Sequence, residues 1–170
     1  MIRKATEEDL LPILNIFNHA IQYTTAIYDY HLHTLEEQNK WYRDKLQGGY
    51  PVIVYEEYNE VIGFATYGRF RPQPAYKYTI EHSIYVHPQF QNKGIGKSLL
   101  NEIINLAEQL GYASMIGVID ASNIKSIGLH ERFNFKQVGI VKKAGYKFKR
   151  WLDVVLLQLE LKGPEHPVEN

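Results

Sequence analysis

The sequence predicts an α/β domain with a mostly antiparallel sheet. Three observations carry that expectation: apolar stripes at helical spacing, short runs rich in β-branched and aromatic residues, and glycines or polar turns that separate them. The elements follow in order. Thr6 and Asp9 form a capping-box pattern ahead of Leu10, Ile13, Leu14, Phe17, Ala20 and Ile21, which predicts a first helix. Thr34 and Glu37 open a second helix containing Trp41, Tyr42 and Leu46, and Gly48 with Gly49 stops it. Residues 22–33 between them are aromatic and without clear period. Residues 52–56, 61–67 and 78–86 read as three strands of an antiparallel meander, with a turn at 58–60. Leu99, Leu100, Ile103, Ile104, Leu106, Ala107 and Leu110 form an apolar stripe on a helix that Gly111 ends. Residues 114–119 read as a buried strand, Asn123 caps a short helix through Phe133, and residues 137–141 and 151–161 are the last strands. Residues 1–162 are expected to form one domain and residues 163–170 a frayed tail.

Composition excludes several classes of function. The chain has 170 residues, enough for one core without metal or disulfide support. Lys plus Arg and Asp plus Glu number 19 each, so there is no net field to attract nucleic acid or an anionic membrane. With no cysteine, thiolate zinc sites, disulfides and cysteine nucleophiles are all removed. The first nine residues are charged where a signal peptide would be apolar, and no apolar run reaches the roughly 18 residues of a spanning helix. A cytoplasmic protein without nucleic-acid, membrane or metal partners is expected.

The most informative segment is Gln91, Asn92, Lys93, Gly94, Ile95, Gly96, Lys97 and Ser98, which follows a strand and opens a helix. Amides at a helix start point outward with the positive end of the dipole behind them, so this turn suits a phosphate group. A side chain at Gly94 or Gly96 would hold a phosphate away from the backbone. The same residues also allow a plain connecting turn. Gly96-Lys97-Ser98 imitates the end of a P-loop, and residues 115–120 imitate an aspartate-ended strand. A P-loop would need glycine where Gln91 stands, however, and a dinucleotide fingerprint would need it where Leu99 stands. What remains is Gln-x-x-Gly-x-Gly after Ile84-Tyr85-Val86-His87-Pro88.

That pattern resembles the coenzyme A loop of the GNAT acetyltransferase superfamily. The likeness extends through Ile2-Arg3-Lys4-Ala5-Thr6, Phe17-Asn18-His19, residues 68–76, Glu81-His82-Ser83-Ile84-Tyr85-Val86, residues 123–135, Ala144-Gly145-Tyr146-Lys147 and Trp151-Leu152-Asp153-Val154. Together these resemble the phosphinothricin acetyltransferase group. The resemblance implies a GNAT fold, with a mixed, mostly antiparallel sheet, splayed central strands and flanking helices. It also implies acetyl-CoA as co-substrate, a small glutamate-like amino acid as acceptor (phosphinothricin, methionine sulfone or sulfoximine), and a homodimer. A GNAT enzyme acting on polypeptide amines, a nucleotide-binding protein and a coenzyme sensor without turnover remain alternatives.

Residue roles follow from the same likeness. An amine attacks a thioester only after losing its proton, and Glu81 matches the family's general base, its apolar neighbours Ile80, Ile84 and Val86 favouring a raised pKa. Without the likeness, Glu81 reads more readily as a solvent-facing side chain. The N–H of Val86 matches the oxyanion donor, and Ile84, Tyr85 and Val86 match the strand that pairs with the pantetheine arm. Asn123 and Ser126 match positions near that arm, Asn123 being also a simple helix cap. His130 stands where many GNAT enzymes carry tyrosine but matches the phosphinothricin-like group, and imidazole could donate a proton to the departing thiolate or bind it; a lone helical histidine is more often structural. Arg71, Tyr76 and Tyr28 match a pocket for the amino acid. Relatives often carry a second arginine where this chain has Gln73, which bears on the identity of the acceptor.

Overall fold

The computed structural model describes residues 1–169; Asn170, the last residue of the expected tail, lies outside them. The described residues fall into two compact units, Met1–Gly68 with Ser83–Ile103, and Arg69–His82 with the chain from Ile104 onward. Each has its own ladder and buried side chains.

In the first unit, β1 (Ile2–Lys4) pairs antiparallel with β2 (Val52–Glu57), and β2 with β3 (Glu60–Arg69). Strand β1 was not expected, because three residues are too few to show an alternation; its pairing with residues 53–55 makes it a strand. The capping box at Thr6 and Asp9 is present, but it closes a 3-10 turn (Glu7–Asp9), and helix α1 (Leu10–Tyr23) follows directly. A second partner explains that displacement. The buried Asp9 carboxylate takes two hydrogen bonds from Arg3, at 2.7 and 2.9 Å, besides the one from the Thr6 amide. The Arg3 guanidinium thereby holds the Asp9 carboxyl below the usual carboxylate range. Helix α2 (Leu35–Gln47) starts on the expected box, Thr34 accepting from the Glu37 amide at 3.2 Å, and stops at Gly48.

Leu10, Ile13 and Ile16 of α1, Tyr42 of α2, and Val52, Val54, Val61 and Phe64 of the strands form the core of this unit. The Tyr42 hydroxyl donates to the Ala5 carbonyl at 2.7 Å, so burying it leaves no orphan. Gly63 of β3 lies against the next strand: a Cβ there would stand 3.1 Å from the Tyr85 carbonyl oxygen and 3.2 Å from side chains of Ile95 and Leu99.

In the second unit, β4 (Thr79–Val86, its first four residues here) runs parallel to β5 (Ser114–Asp120) through Thr79↔Ser114, Ile80↔Met115 and Glu81↔Ile116, where the ladder stops. Strand β5 is antiparallel to β7 (Arg150–Glu160), and β7 to β6 (Lys136–Lys147). The neighbours run β1-β2-β3-β4 in the first unit and β4-β5-β7-β6 in the second, a mixed arrangement in which β1–β2, β2–β3, β5–β7 and β7–β6 are antiparallel and β4–β5 parallel. Helices α3 (Ile95–Gln109) and α4 (Ile124–Glu131) complete it.

Several boundaries differ from expectation, α4 ending at Glu131 and β3 running on to Arg69 among them. Leu110 falls outside α3 and is exposed, since the helix ends before Gly111, whose φ is 75°. Strand β6 runs six residues past Val141 to Lys147, with two register shifts, and joins β7 through Phe148 and Lys149, both at positive φ. A two-residue hairpin turn of that kind normally announces itself with Asn-Gly; here the strand register imposes it. The segment expected to fray is tied at two points, Gly163 donating to the Tyr112 carbonyl at 3.2 Å and Val168 to the Tyr78 hydroxyl at 3.0 Å.

The close approach at Gly63 gives the first test. Gly63→Ala should lower unfolding stability by about 1–3 kcal/mol, the usual cost of overpacking, measured by urea denaturation.

Candidate active site

In the first unit, Ile84, Tyr85 and Val86 end β4 and lead into a 3-10 turn (Pro88–Phe90) and the glycine turn. The Tyr85 ring packs in the core against Phe17 and Phe64, at centroid distances of 5.6 and 5.2 Å, so its side chain faces the core. Asn92 and Gly94 take φ of 63° and 84°. Nothing lies within 4 Å of a Cβ placed on Gly94, so it is the left-handed conformation, not crowding, that favours glycine there. Gly96, by contrast, lies inside α3, which begins at Ile95. The Gly94 carbonyl accepts from the Ser98 amide at 3.0 Å and from its hydroxyl at 3.3 Å. That bond makes Gly94 the first acceptor of α3, so the amides of Ile95, Gly96 and Lys97 have no carbonyl four residues back inside the helix. Ile95 turns its side chain into the core. The Gln91 side chain reaches back to the Val86 carbonyl at 3.4 Å, while Lys93 lies over the Phe90 ring. An exposed turn at positive φ followed by open helix amides fits a pyrophosphate. Tyr28 belongs to the same unit, with its hydroxyl buried.

The second unit holds the other predicted residues. Glu81 is half-buried and forms the last β4–β5 pair. Asn123 caps α4, accepting from the Ser126 amide at 3.1 Å. Arg71 lays its guanidinium over the Phe70 ring at 4.2 Å, and Tyr76 meets the same ring edge-on at 5.8 Å. Phe70 is therefore the common support of both pocket residues, and its place between Arg69 and Arg71 was the signal available for it. Gln73 precedes the 3-10 turn Pro74–Tyr76, its carbonyl accepting from the Tyr76 amide at 3.1 Å.

His130 is buried at the end of α4. Its Nδ1 lies 2.7 Å from the Ser126 carbonyl, which can only accept, so Nδ1 carries a hydrogen. Its Nε2 lies 3.1 Å from Nε2 of His82, and the two rings are parallel to within 13°. Phe135 closes both rings edge-on. Burial pushes His82 down to about 3, helped by His130, and burial also lowers His130 against the raising effect of the Ser126 carbonyl. Both are neutral near pH 7. With Nδ1 of His130 protonated and its Nε2 bare, His82 must donate its Nε2–H, which leaves Nδ1 of His82 buried without a hydrogen-bond partner. Sequence reading did not single out His82; the only hint was its place beside Glu81.

A family model described as the acetyltransferase (GNAT) family matches residues 13–135. The chain belongs to the GNAT family. Its GNAT relatives include the L-methionine sulfoximine/L-methionine sulfone acetyltransferase of Salmonella typhimurium, 39% identical over 160 residues and 94% of each chain. Among solved GNAT structures, an N-acetyltransferase from Staphylococcus aureus Mu50 is 49% identical, with a TM-score of 0.94 over 95% of this chain and 98% of that one. A Salmonella typhimurium acetyltransferase with its cofactor acetyl-CoA is 38% identical, with a TM-score of 0.96 over 99% and 97%. This GNAT chain is an acetyl-CoA-dependent N-acetyltransferase with the GNAT fold.

The histidine pair sets a pH dependence of stability. Folded His82 titrates at about 3, far below the ordinary value of about 6.5, so between those limits the unfolded chain binds protons that the folded one refuses. Stability is complete above pH 6.5 and falls on acidification, by roughly 1.4 kcal/mol per pH unit for His82. Urea denaturation at pH 7, 6 and 5 should show this loss, and His82→Gln should flatten it.

Proposed function

We infer that this enzyme acetylates the α-amino group of a small amino acid of the glutamate-like, methionine sulfone or methionine sulfoximine type. The observation that carries this reading is the order of parts along one strand: Glu81, then Ile84 to Val86, then the open start of α3. The substrate class is supported by the Salmonella typhimurium relative and by the phosphinothricin-type resemblance.

Acetyl-CoA supplies an activated thioester carbonyl. The amides of Ile95, Gly96 and Lys97, with the turn formed by Gln91, Asn92, Lys93 and Gly94 and the Ser98 hydroxyl, hold its pyrophosphate. Ile84 and Val86 pair with its pantetheine arm, and Asn123 and Ser126 serve the same arm. Glu81 takes the proton from the acceptor's ammonium, directly or through a water, so that a neutral amine attacks. The Val86 N–H stabilises the negative charge that grows on the carbonyl oxygen. Arg71 pairs with the acceptor's carboxylate, with Tyr76 and Tyr28 as walls. His130, whose two ring nitrogens are engaged by Ser126 and His82, acts as a neutral imidazole rather than as a resting proton donor.

Two further parts of the reading are the homodimer and the cytoplasm. The exposed Val138, Ile140, Val141, Tyr146 and Trp151 on β6 and β7 offer apolar surface to a second copy. Among the described residues no helix is long and apolar enough to cross a membrane.

Thiol release from acetyl-CoA should appear with methionine sulfone or sulfoximine and not with peptides; acetylation of peptides alone would overturn the substrate class. Glu81→Gln should lower kcat by about 100-fold or more at neutral pH, with the KM for acetyl-CoA little changed.

A further inference from the structure

The β4–β5 ladder ends at Glu81↔Ile116, so the residue proposed as general base sits at the last backbone-paired position of the two strands. The next residues along them are His82 and Gly117. A Cβ on Gly117 would stand 3.1 Å from His82 Nε2 and 3.6 Å from the His130 ring, so the missing side chain makes room for the histidine pair. From His82 the contact passes through His130 Nε2 and Nδ1 to the Ser126 carbonyl of α4, and Asn123 caps that helix through the Ser126 amide. Where backbone pairing stops, a side-chain chain of hydrogen bonds joins β4 to α4.

We propose that His82 is a positioning residue, which fixes the stretch of β4 carrying Glu81 by donating its Nε2–H to His130. The proposal rests on the reading of Glu81 as the base. The hydrogen bond has one direction, because Ser126 offers only an acceptor and determines the His130 tautomer, which in turn determines that of His82. A bond with one allowed polarity, closed over by Phe135 on both rings, leaves the His82 side chain a single orientation. Its backbone, and the adjacent Glu81, are held with it. Nothing in this role requires either ring to gain or lose a proton during turnover.

The test combines a spectrum with kinetics. In nitrogen-15 NMR of the whole protein at pH 7, His130 should show a protonated Nδ1 and a bare Nε2, and His82 the reverse; a His82 bare at Nε2 overturns the proposal. Because no turnover is needed, this reading survives an error in the substrate class. His82→Leu should lower kcat at least about tenfold, with KM for acetyl-CoA within about twofold, because the base is displaced rather than removed. His82→Gln keeps an Nε2 donor and should recover most of the rate while His130 keeps its tautomer. Gly117→Ala, which crowds the pair without deleting it, should also lower kcat, and it stands in if His82→Leu fails to fold. Wild-type kcat in His82→Leu, or His82→Gln as slow as His82→Leu, overturns the role.

Discussion

An α-helix that begins on a glycine turn leaves its first amides without carbonyl partners inside the helix, and the start of α3 after Gly94 is such a place. Gly94 at a φ of 84° turns the chain, and α3 begins one residue later. Ile95 is anchored in the core, while Gly94, Lys97 and Ser98 beside it are exposed. Lys97 imitates a P-loop lysine, but Gln91 stands where a P-loop needs glycine.

The second unit rests on a different physical effect. Two imidazoles in a dry environment cannot afford charge, and each has one hydrogen to place. The Ser126 carbonyl decides the first placement and thereby the second. Polar groups buried in this way define geometry more sharply than apolar packing does, since only one arrangement satisfies them. Phe70 plays an analogous part in the same unit, giving Arg71 and Tyr76 a common surface to rest on.

Much of the fold was legible locally. Both capping boxes, the apolar stripe of α3, the stop at Gly111 and the Asn123 cap depend on residues within a few positions of one another, and each is present. What was not legible depends on distant partners. Strand β1 exists through residues 53–55, Asp9 is shared between its own turn and Arg3, and the long β6 with its Phe148–Lys149 turn is imposed by pairing with β7. The tail is held by Tyr112 and Tyr78, which no feature of residues 163–168 announces.

The same division applies to the site. By itself the sequence determined that a glycine turn opens a helix after a strand, and it set aside the P-loop and dinucleotide patterns, because helix starts and glycine spacing are local properties in which one residue, Gln91 or Leu99, is decisive. It also marked Glu81 and Arg71 by likeness to a family. Only the tertiary structure paired His82 with His130, 48 residues apart, and turned a candidate acid into half of a neutral hydrogen-bonded pair. Ionisation depends on burial and on what the second ring nitrogen touches, and neither is a property of the residue or its neighbours in the chain.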